Sequence, residues 1–585
     1  MKIFLPILLP FFMILNLANA QVSLKNEEQK KGLATIPQEL IFVHSNTSLF
    51  LTGEYLYYTI YCLNSETNTL SDLSKVAYVE LVSKEGTQFF KQKIKLENGL
   101  GNADFFIPVG APTGTYKLLA YTNWMKNEGF DVFFKEDVHI INPYQVSKIS
   151  FQKKDTSNIS GSSKHHIAYK DRNIGPMNLV LKNRVFSKRS KVSFSLRGKN
   201  ENAVVSGNYS ISLRRKGKLP EPTPQNSVTA LNKFDSKLKD GVNLNSNSIY
   251  LPELRGELLS GRVSTLNNRI IKDLKIAVSI PGDNYYIDIV STNSDGVFYI
   301  NIDQDYSGDR MFLEVLDNPQ QNYKIVLNEH SYLDYSELVF KDLELNTLIK
   351  EEIVQRSIHN QIDNAYFKYK PDSVVSVVAE QLFGTKKFQN YKLDDFTRFK
   401  TIRETIFEIF KDVSISRIGK ENSTLHVQGY NYGTNSGILP IVIIDGFQIT
   451  NHTALLDYNA FAIEQIQVFR DRFVLGSKVY QGALLFKTKN NSIEEFQNEA
   501  SLFTSKLLKP QISKNYFTQR YDVNTASRIP DDRLQLLWMP HLKVSEKVTT
   551  LDFFTSDVSG EFEICIEGFS SKQEPVSIKA YFSVN

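Results

Sequence analysis

The chain of 585 residues is too long for one hydrophobic core, and at about 100 to 200 residues per domain it predicts roughly three to five domains. Its formal charge of +4 is spread without a strongly basic block, which gives no argument for nucleic-acid binding. Aromatic residues, mainly 39 Phe and 28 Tyr, make up 12% of the chain. This composition is typical of a globular protein rich in strands.

The N-terminus predicts a cleavable signal peptide. Lys2 is followed by the apolar run "IFLPILLPFFMILNL" and by the small-residue site "ANA", which ends at Ala20. We therefore expect residues 1–20 to be removed and the mature chain to begin at Gln21, where no cysteine offers a lipid anchor. Beyond residue 20, no run approaches the ~18 apolar residues that a membrane-spanning helix needs.

Cysteine and histidine usage gives little argument for a disulfide or a metal site. Cys62 and Cys565 each lie in a strand-like run, and they could pair only if the first and last domains packed together. We interpret them as unpaired thiols, with that pairing left open. His165 and His166 are adjacent but have no nearby Cys, Asp or Glu, so we interpret them as loop residues in solvent.

The first half of the mature chain predicts two β-sandwiches and a linker. In "LIFVHSNTSLFLTGEYLYYTIYC" the apolar residues alternate, and a domain of such strands extends over 21–143. The runs "MNLVLKNRVFSKRSKVSFSLRG" and "GNYSISLRRKG" predict a second sandwich over 144–217. The Pro-, Asn- and Ser-rich stretch 218–249 predicts a flexible linker.

A third sandwich is predicted over 250–342, from "DLKIAVSI", "TNSDGVFYINI" and "RMFLEVLD". Its segment "DQDYSGDRMFLE" has acidic and small residues at calcium-loop spacing, namely Asp303, Asp305, Ser307, Gly308 and Glu314. That loop belongs between helices, whereas strands flank it here, and Arg310 stands where an aliphatic residue is preferred. We therefore interpret this segment as a polar hairpin turn without a metal.

Helices are predicted next, in a connector over 343–389 with Leu345, Ile349 and Ile353 on one face. A second helix, "FTRFKTIRETIFEIFKD", follows in the next domain. Its apolar stripe consists of Phe399, Ile402, Ile406, Ile409 and Phe410. Glu404 and Glu408 lie on its polar face, and we interpret them as solvated carboxylates that form no acid/base pair.

A small α/β domain is predicted over 390–490. Its centre is "PIVIIDGFQI", a strand, an Asp-Gly turn at Asp445 and Gly446, and a second strand. A short helix and then a strand, in which Ile466 and Val468 alternate, follow in "DYNAFAIEQIQVFRDR", and Gly476 and Gly482 break the chain before "ALLFKTK". The remaining residues, 491–585, predict a separate C-terminal sandwich, in which Phe562, Ile564 and Ile566 alternate with glutamates.

Several of these motifs resemble known families. The combination of "FVHSNTSLFLTGEYLYY", "SKVAYVELVS" and "PTGTYKLLAYTNWMKN" resembles the macroglobulin-like domain of exported Bacteroidota-type proteins. Residues 250–342 are similar to the carboxypeptidase-regulatory-like sandwich, a scaffold without peptidase chemistry. Residues 390–490 resemble the plug of TonB-dependent receptors, except at "SKVYQ" (477–481). The resemblance implies a mainly β, multidomain array of sandwiches with one small α/β plug-like domain.

The plug-like domain has no barrel in this chain, because the 95 residues after position 490 cannot supply some twenty membrane strands. The resemblance then implies a non-enzymatic exported interaction protein, periplasmic or associated with the outer membrane. Its partner would be a TonB-dependent-type barrel or another envelope complex. The alternative is a protease-binding protein of the α-macroglobulin type, with 218–248 as bait and without a thioester, since neither cysteine has the Gly-Cys-Gly-Glu-Gln context.

Enzymatic activity is the weakest of the hypotheses. The chain has no "GxSxG", no "HExxH" and no phosphate loop, and its 9 His form no catalytic pattern. We therefore predict no catalytic residue, no cofactor, no metal and no nucleic-acid partner.

Overall fold

The computed structural model describes most of the chain beyond the N-terminus, in the ranges 27–148, 151–152, 170–200, 205–235, 249–317, 322–328, 333–346, 349–375, 383, 387–419, 421–430, 437–491, 493–496, 502–522, 529–544 and 548–585. These residues form a mainly β protein of several small sheets, which confirms the predicted fold class. The predicted signal peptide and the His165–His166 pair lie outside the described residues. Within these ranges, no helix is long and apolar enough to span a membrane.

Sandwich A contains the first eight strands. One sheet has the order β1-β3-β6 and the other the order β2-β8-β7-β4-β5. The strands are β1 Glu39–Ser45, β2 Leu49–Leu51, β3 Tyr55–Asn64, β4 Val76–Ser83, β5 Gln88–Lys95, β6 Leu100–Phe106, β7 Gly114–Tyr121 and β8 Phe134–Ile141. The alternation read from the sequence places Leu56, Tyr58, Ile60 and Cys62 in its core. Helix α1, Glu27–Ala34, precedes it.

Sandwich B is built from two distant parts of the chain, and this corrects the prediction of separate sandwiches over 144–217 and 491–585. Its larger sheet has the order β10-β35-β34-β14-β32, with β12 against β35, and the smaller one is β11-β13-β33. The strands are β10 Arg172–Ile174, β11 Met177–Leu181, β12 Val185–Phe186, β13 Lys191–Gly198, β14 Gly207–Arg215, β32 Gln535–Val544, β33 Val548–Phe554, β34 Gly560–Ser570 and β35 Pro575–Val584. Residues 216–534 are thus an insertion into sandwich B.

Sandwich C lies within this insertion and has sheets β18-β15-β20 and β17-β16-β19-β30. Its strands are β15 Glu257–Thr265, β16 Lys275–Ile280, β17 Tyr286–Ser291, β18 Val297–Ile302, β19 Arg310–Val315, β20 Tyr323–Leu327 and β30 Leu502–Lys506. The last of these, β30, comes from the predicted C-terminal domain and pairs with β19.

The calcium-like segment joins β18 to β19, and these strands belong to different sheets. It is therefore a crossover between the two layers of sandwich C, which corrects the predicted hairpin turn. Asp305 forms an ion pair with Lys95 of sandwich A, and Glu314 accepts a hydrogen bond from Thr450. Among the described residues, no group of three or more His, Cys, Asp or Glu is placed to hold a metal ion.

The α/β unit has a five-stranded sheet, β23-β28-β29-β26-β27, and a separate hairpin, β24-β25. Its strands are β23 Gln389–Lys392, β24 Val413–Ile418, β25 Asn422–Val427, β26 Ile441–Ile444, β27 Phe447–Gln448, β28 Ile463–Leu475 and β29 Lys478–Thr488, and its helices are α4 Ile402–Ile409 and α5 His452–Leu456. Strand β26 runs parallel to β29, while β28 and β29 form a long antiparallel hairpin.

Two connecting helices pack against the sandwiches. Helix α2, Ser227–Asp235, lies in the stretch predicted to be a flexible linker, and Ala230 and Leu231 join the core of sandwich A. Helix α3, Lys350–Ala365, occupies the predicted helical connector. The helix begins later than predicted, because Leu345, which was expected on its apolar face, belongs to a short strand before α3.

The remaining elements tie the units together. Strand β9 (Phe151–Gln152) runs parallel to β21 (Leu345–Asn346), and β22 (Ser373–Val374) runs antiparallel to β31 (Lys514–Asn515). Short 3-10 helices lie at Trp124–Asn127, Gly129–Asp131, Pro143–Lys148, Tyr335–Glu337, Phe367–Tyr369, Leu393–Asp395, Ala460–Ala462 and Glu494–Phe496. Cys62 and Cys565 are both free thiols, as predicted.

Sandwich A contacts sandwich C through an ion pair removed from water. The Lys93 ammonium of β5 meets the Glu257 carboxylate of β15, and the two side chains are only 1% and 3% exposed. Tyr306 donates a hydrogen bond of 2.8 Å to the other Glu257 oxygen. A buried charge pair of this kind is costly to break because the charge that remains has no countercharge in the interior.

We expect Lys93→Met to lower the free energy of unfolding by about 3–5 kcal/mol, because it removes the countercharge of the buried Glu257 carboxyl group. Adding Glu257→Gln should restore part of that loss, and chemical denaturation of the single and double variants measures it. Lys95→Met is the control, since Lys95 pairs with Asp305 at the same junction but is 43% exposed. It should cost no more than about 1 kcal/mol. Equal losses for Lys93→Met and Lys95→Met would contradict the prediction.

Candidate functional site

The Asp445–Gly446 turn has the geometry expected of a tight hairpin. Both residues have positive φ, 45° and 80°, as a type I′ turn requires, and β26 and β27 pair across it. The Asp445 carboxylate accepts hydrogen bonds from Thr488, at 2.9 Å from the backbone N–H and 2.5 Å from the hydroxyl. The turn is thereby fixed to the end of β29.

Helix α4 begins with a capping box. The Thr401 hydroxyl accepts from the backbone N–H of Glu404, and the Glu404 side chain accepts from the N–H of Thr401. Glu404 therefore has a structural role, where the sequence predicted only a solvated carboxylate. Ile402 and Ile406 of the predicted apolar stripe are buried in α4, but the helix is shorter than predicted, so Phe399 precedes it and Phe410 is its C-cap residue.

One face of the α/β unit is docked on sandwich C. Buried apolar side chains from both sides form one cluster, with Ala277, Ile287 and Ile289 from sandwich C, Ile441, Ile443, Phe469, Tyr480 and Ala483 from the α/β unit, and Phe383 from the segment that precedes β23. Phe312 of β19 packs edge-on against Phe447, at 5.3 Å between ring centroids. The removal of this apolar surface from water holds the two units together.

Polar contacts and close backbone approaches fix the position of the α/β unit on this face. The N–H of Gln448 donates to the Ser279 hydroxyl at 3.1 Å, and the N–H of Ser477 donates to the Ile289 carbonyl at 3.0 Å. A Cβ on Gly446 would lie 2.3 Å from the Cβ of Tyr285. Only glycine fits this turn against sandwich C.

The side of the α/β unit that carries α4 faces solvent. Phe407 is 82% exposed, although its neighbours Ile406 and Phe410 are buried. Phe396 and Phe461 are also exposed. Exposed aromatic side chains on a helix that is fixed to a rigid scaffold can contact another protein.

A concave region lies between sandwich A, sandwich B and α3, with a cavity of about 110 Å³. Arg356 of α3 forms two hydrogen bonds of 2.7 Å to the Glu54 carboxylate and one of 2.9 Å to the carbonyl of Leu49. Arg215 pairs with Glu352 at 3.0 Å. These charges are compensated within the protein, so we interpret the residues around the cavity as contacts that hold α3 against sandwiches A and B.

The residues that fix the α/β unit were found only in part from the sequence. Asp445 and Gly446 were identified as a turn, but Tyr285, Ser279 and Ile289 were not identified as its contacts. They belong to a different domain, and local patterns carry no information about which domains meet. Glycine at the turn was the one signal of a close approach.

No protein-family model and no curated protein sequence matches the chain. Among solved structures, a Salmonella α2-macroglobulin reacted with methylamine is 11% identical, with 94% of this chain aligned to 23% of that one at a TM-score of 0.15. An Escherichia coli α2-macroglobulin activated by porcine elastase is 9% identical, with 94% of this chain aligned to 44% of that one at a TM-score of 0.23. An E. coli adhesin is 12% identical over 32% of this chain, at a TM-score of 0.13.

The chain thus spans less than half the length of these α2-macroglobulins. TM-scores of this size support no inference about fold or function, so the description of the site depends on its own contacts.

Replacing Gly446 with alanine should undock the α/β unit, because the new Cβ meets Tyr285 in addition to the strain of a positive φ. We expect a loss of at least about 2 kcal/mol in the stability of the unit, measured by chemical denaturation. Gly419→Ala is the matched control, since Gly419 has φ +69° and nothing within 4 Å of its Cβ position. It should lose only about 1 kcal/mol. Equal losses would show that the Tyr285 contact is unimportant.

His452 predicts an acid sensitivity of the α/β unit. Burial, with the nearby His426 and Lys478 charges, lowers its pKa from 6.5 to about 4, and its Nδ1 accepts the Leu425 N–H at 3.1 Å. The unfolded chain therefore binds a proton first, so the free energy of unfolding falls as the pH drops from about 6.5 to about 4.

We expect the wild type to lose up to about 3 kcal/mol more than His452→Asn over this range, since Asn keeps an acceptor and cannot be protonated there. Denaturation of both proteins at pH 4.5 and 7.5 measures the difference, in which the other titrating groups cancel. Identical pH slopes would refute a neutral, buried His452.

Proposed function

We propose that this chain is a non-enzymatic, exported interaction protein of the outer membrane. It acts as an accessory subunit or binding scaffold for a TonB-dependent-type barrel or another envelope complex. The observation that carries the proposal is the fixed presentation of the α/β unit. Its sheet is docked on sandwich C, while α4 leaves Phe407 82% exposed to solvent.

The plug resemblance of residues 390–490 supports a partner that receives such a module. A module held by its own apolar cluster stays on the scaffold when it binds, because undocking would expose that cluster to water. Contact through the α4 side then needs no rearrangement of the chain. This arrangement fits an adaptor that brings a preformed surface to a membrane complex.

Site-specific photocrosslinking in intact cells tests this proposal. A photoreactive phenylalanine analogue at position 407 samples the α4 side, and the same analogue at position 550 samples the outer face of sandwich B, where Thr550 is exposed. After purification through a C-terminal tag, we expect an outer-membrane β-barrel protein crosslinked at 407 and absent at 550.

Two outcomes of this experiment would contradict the proposal. A monomer recovered in the periplasmic fraction, with no crosslink from 407, would overturn the accessory-subunit role. Crosslinks of equal yield at both positions would indicate non-specific proximity and would remove the specific role of the α4 side.

The protease-binding alternative depends on residues 218–248 acting as bait. A bait segment must enter a protease active site in extended form, whereas residues 227–235 of this stretch form helix α2. Ser227 and Ala230 are fully buried between sandwiches A and B. This packing favours the scaffold role over the bait role.

A further inference from the structure

Residues 221–231 form a strap across the junction of sandwiches A and B. The strap begins at Glu221, which pairs with Arg214 and Lys216, and ends in the first turns of α2. The Ser48 hydroxyl donates to the carbonyl of Pro222 at 2.7 Å, and the Gln225 side chain donates to the carbonyl of Lys135 at 2.6 Å.

Two buried carboxyl groups hold the middle of the strap, one from each sandwich. Glu136 of β8 accepts the backbone N–H of Gln225 at 3.0 Å. Glu567 of β34 accepts both the N–H and the hydroxyl of Ser227 at 2.9 Å. The contacts are two residues apart in the chain, so the strap joins the sandwiches at one place.

We propose that this strap is a pH-sensitive clasp, which is closed while Glu136 and Glu567 are protonated and opens increasingly as they ionise. The carboxyl groups face few compensating charges. Around Glu136 lie Ser45 of β1, its neighbour Asp137 and, from β35, Lys579. Around Glu567 lie Ser227, Ser577 and Lys579, with Cys565 and Glu563 on its own strand. Tyr61 of β3 donates to the Glu567 carbonyl, and its hydroxyl is neutral because burial raises its pKa.

The direction follows from burial. Removal from water raises the pKa of Glu136 and of Glu567 from 4.5 to about 7, although the hydrogen bonds they accept act the other way. An open strap lets water reach both groups and returns them towards 4.5. Between pH 4.5 and 7 the closed state therefore holds more protons than the open state, and each rise in pH favours opening.

Three further ionisable groups near the strap, Glu221, Lys579 and His44, do not change charge in this range. Although burial alone would raise it, the Arg214 and Lys216 charges lower the pKa of Glu221 to about 2. Burial alone would lower the pKa of Lys579, but its neighbours Cys565, Glu563, Glu567 and Glu221 raise it, so Lys579 stays charged. His44 of β1 contacts Ser210 of β14 at the A–B junction. Burial and the charge of Lys579 lower the pKa of His44 to about 3.

Hydrogen exchange of the full chain, followed by mass spectrometry between pH 5.5 and 8.5, tests the clasp. After correction for the intrinsic exchange rate, protection of residues 221–231 should fall at least tenfold over this range in the wild type. In the double variant Glu136→Gln/Glu567→Gln, which cannot ionise, it should change less than threefold. An equal pH dependence in both proteins, or none in the wild type, would overturn the proposal.

Two further variants keep the test decisive if the double variant folds poorly. Glu253→Gln is the matched control, because burial and the charge of Glu257 also raise the pKa of Glu253 to about 7, but at the A–C junction. It should leave the pH dependence of the strap unchanged. Ser227→Ala removes a donor and no titrating group, so it should lower protection at every pH without changing the slope. A strap slope altered by Glu253→Gln would mean global loosening, and the clasp would be refuted.

Discussion

The pairing of β14 with β32 and β34 is the constraint on which the rest of the structure depends. It joins residues 207–215 to residues 535–544 and 560–570 in one sheet, so sandwich B cannot close until the chain has been synthesised beyond the insertion. Contacts between residues so far apart in the chain carry a large loop-closure cost, which apolar burial must offset. The core of sandwich B accordingly combines Tyr209, Ile211 and Leu213 with Ile564 and Ile566.

Sandwich A is the hub around which the other units are arranged. Its β1-β3-β6 sheet faces sandwich B, where Phe42 meets Phe569 edge-on at 6.2 Å. Its other sheet is covered by residues 333–346, with Leu338 packed against Val82 and Leu119. Lys93 and Glu54 connect it to sandwich C and to α3. Both faces of sandwich A are therefore used, which is why strand β3 is buried on both sides along most of its length.

Local patterns predicted the elements well and their assembly poorly. The alternation in β3 and the Asp445–Gly446 turn depend on neighbours in the sequence, so both could be read directly. The alternation in β34 separates Phe562, Ile564 and Ile566 from the glutamates, yet Glu567 is only 2% exposed, because α2 and sandwich A cover it. That burial comes from residues more than 300 positions away, and no periodicity encodes it. Leu345 was misassigned for the same reason, since its apolar character reflects contact with sandwich A.

The insertion into sandwich B leaves and returns at neighbouring points. The N–H of Arg215, at the end of β14, donates to the carbonyl of Leu534, just before β32, at 2.8 Å. Sandwich C and the α/β unit are therefore connected to sandwich B through the ends of two adjacent, antiparallel strands. A force that pulled these units away from their contacts with sandwich A would then load β14 and β32 from the same end and break their hydrogen bonds one after another. In mechanical terms, this is an unzipping geometry, in which the hydrogen bonds between β14 and β32 carry the load one at a time and not all together.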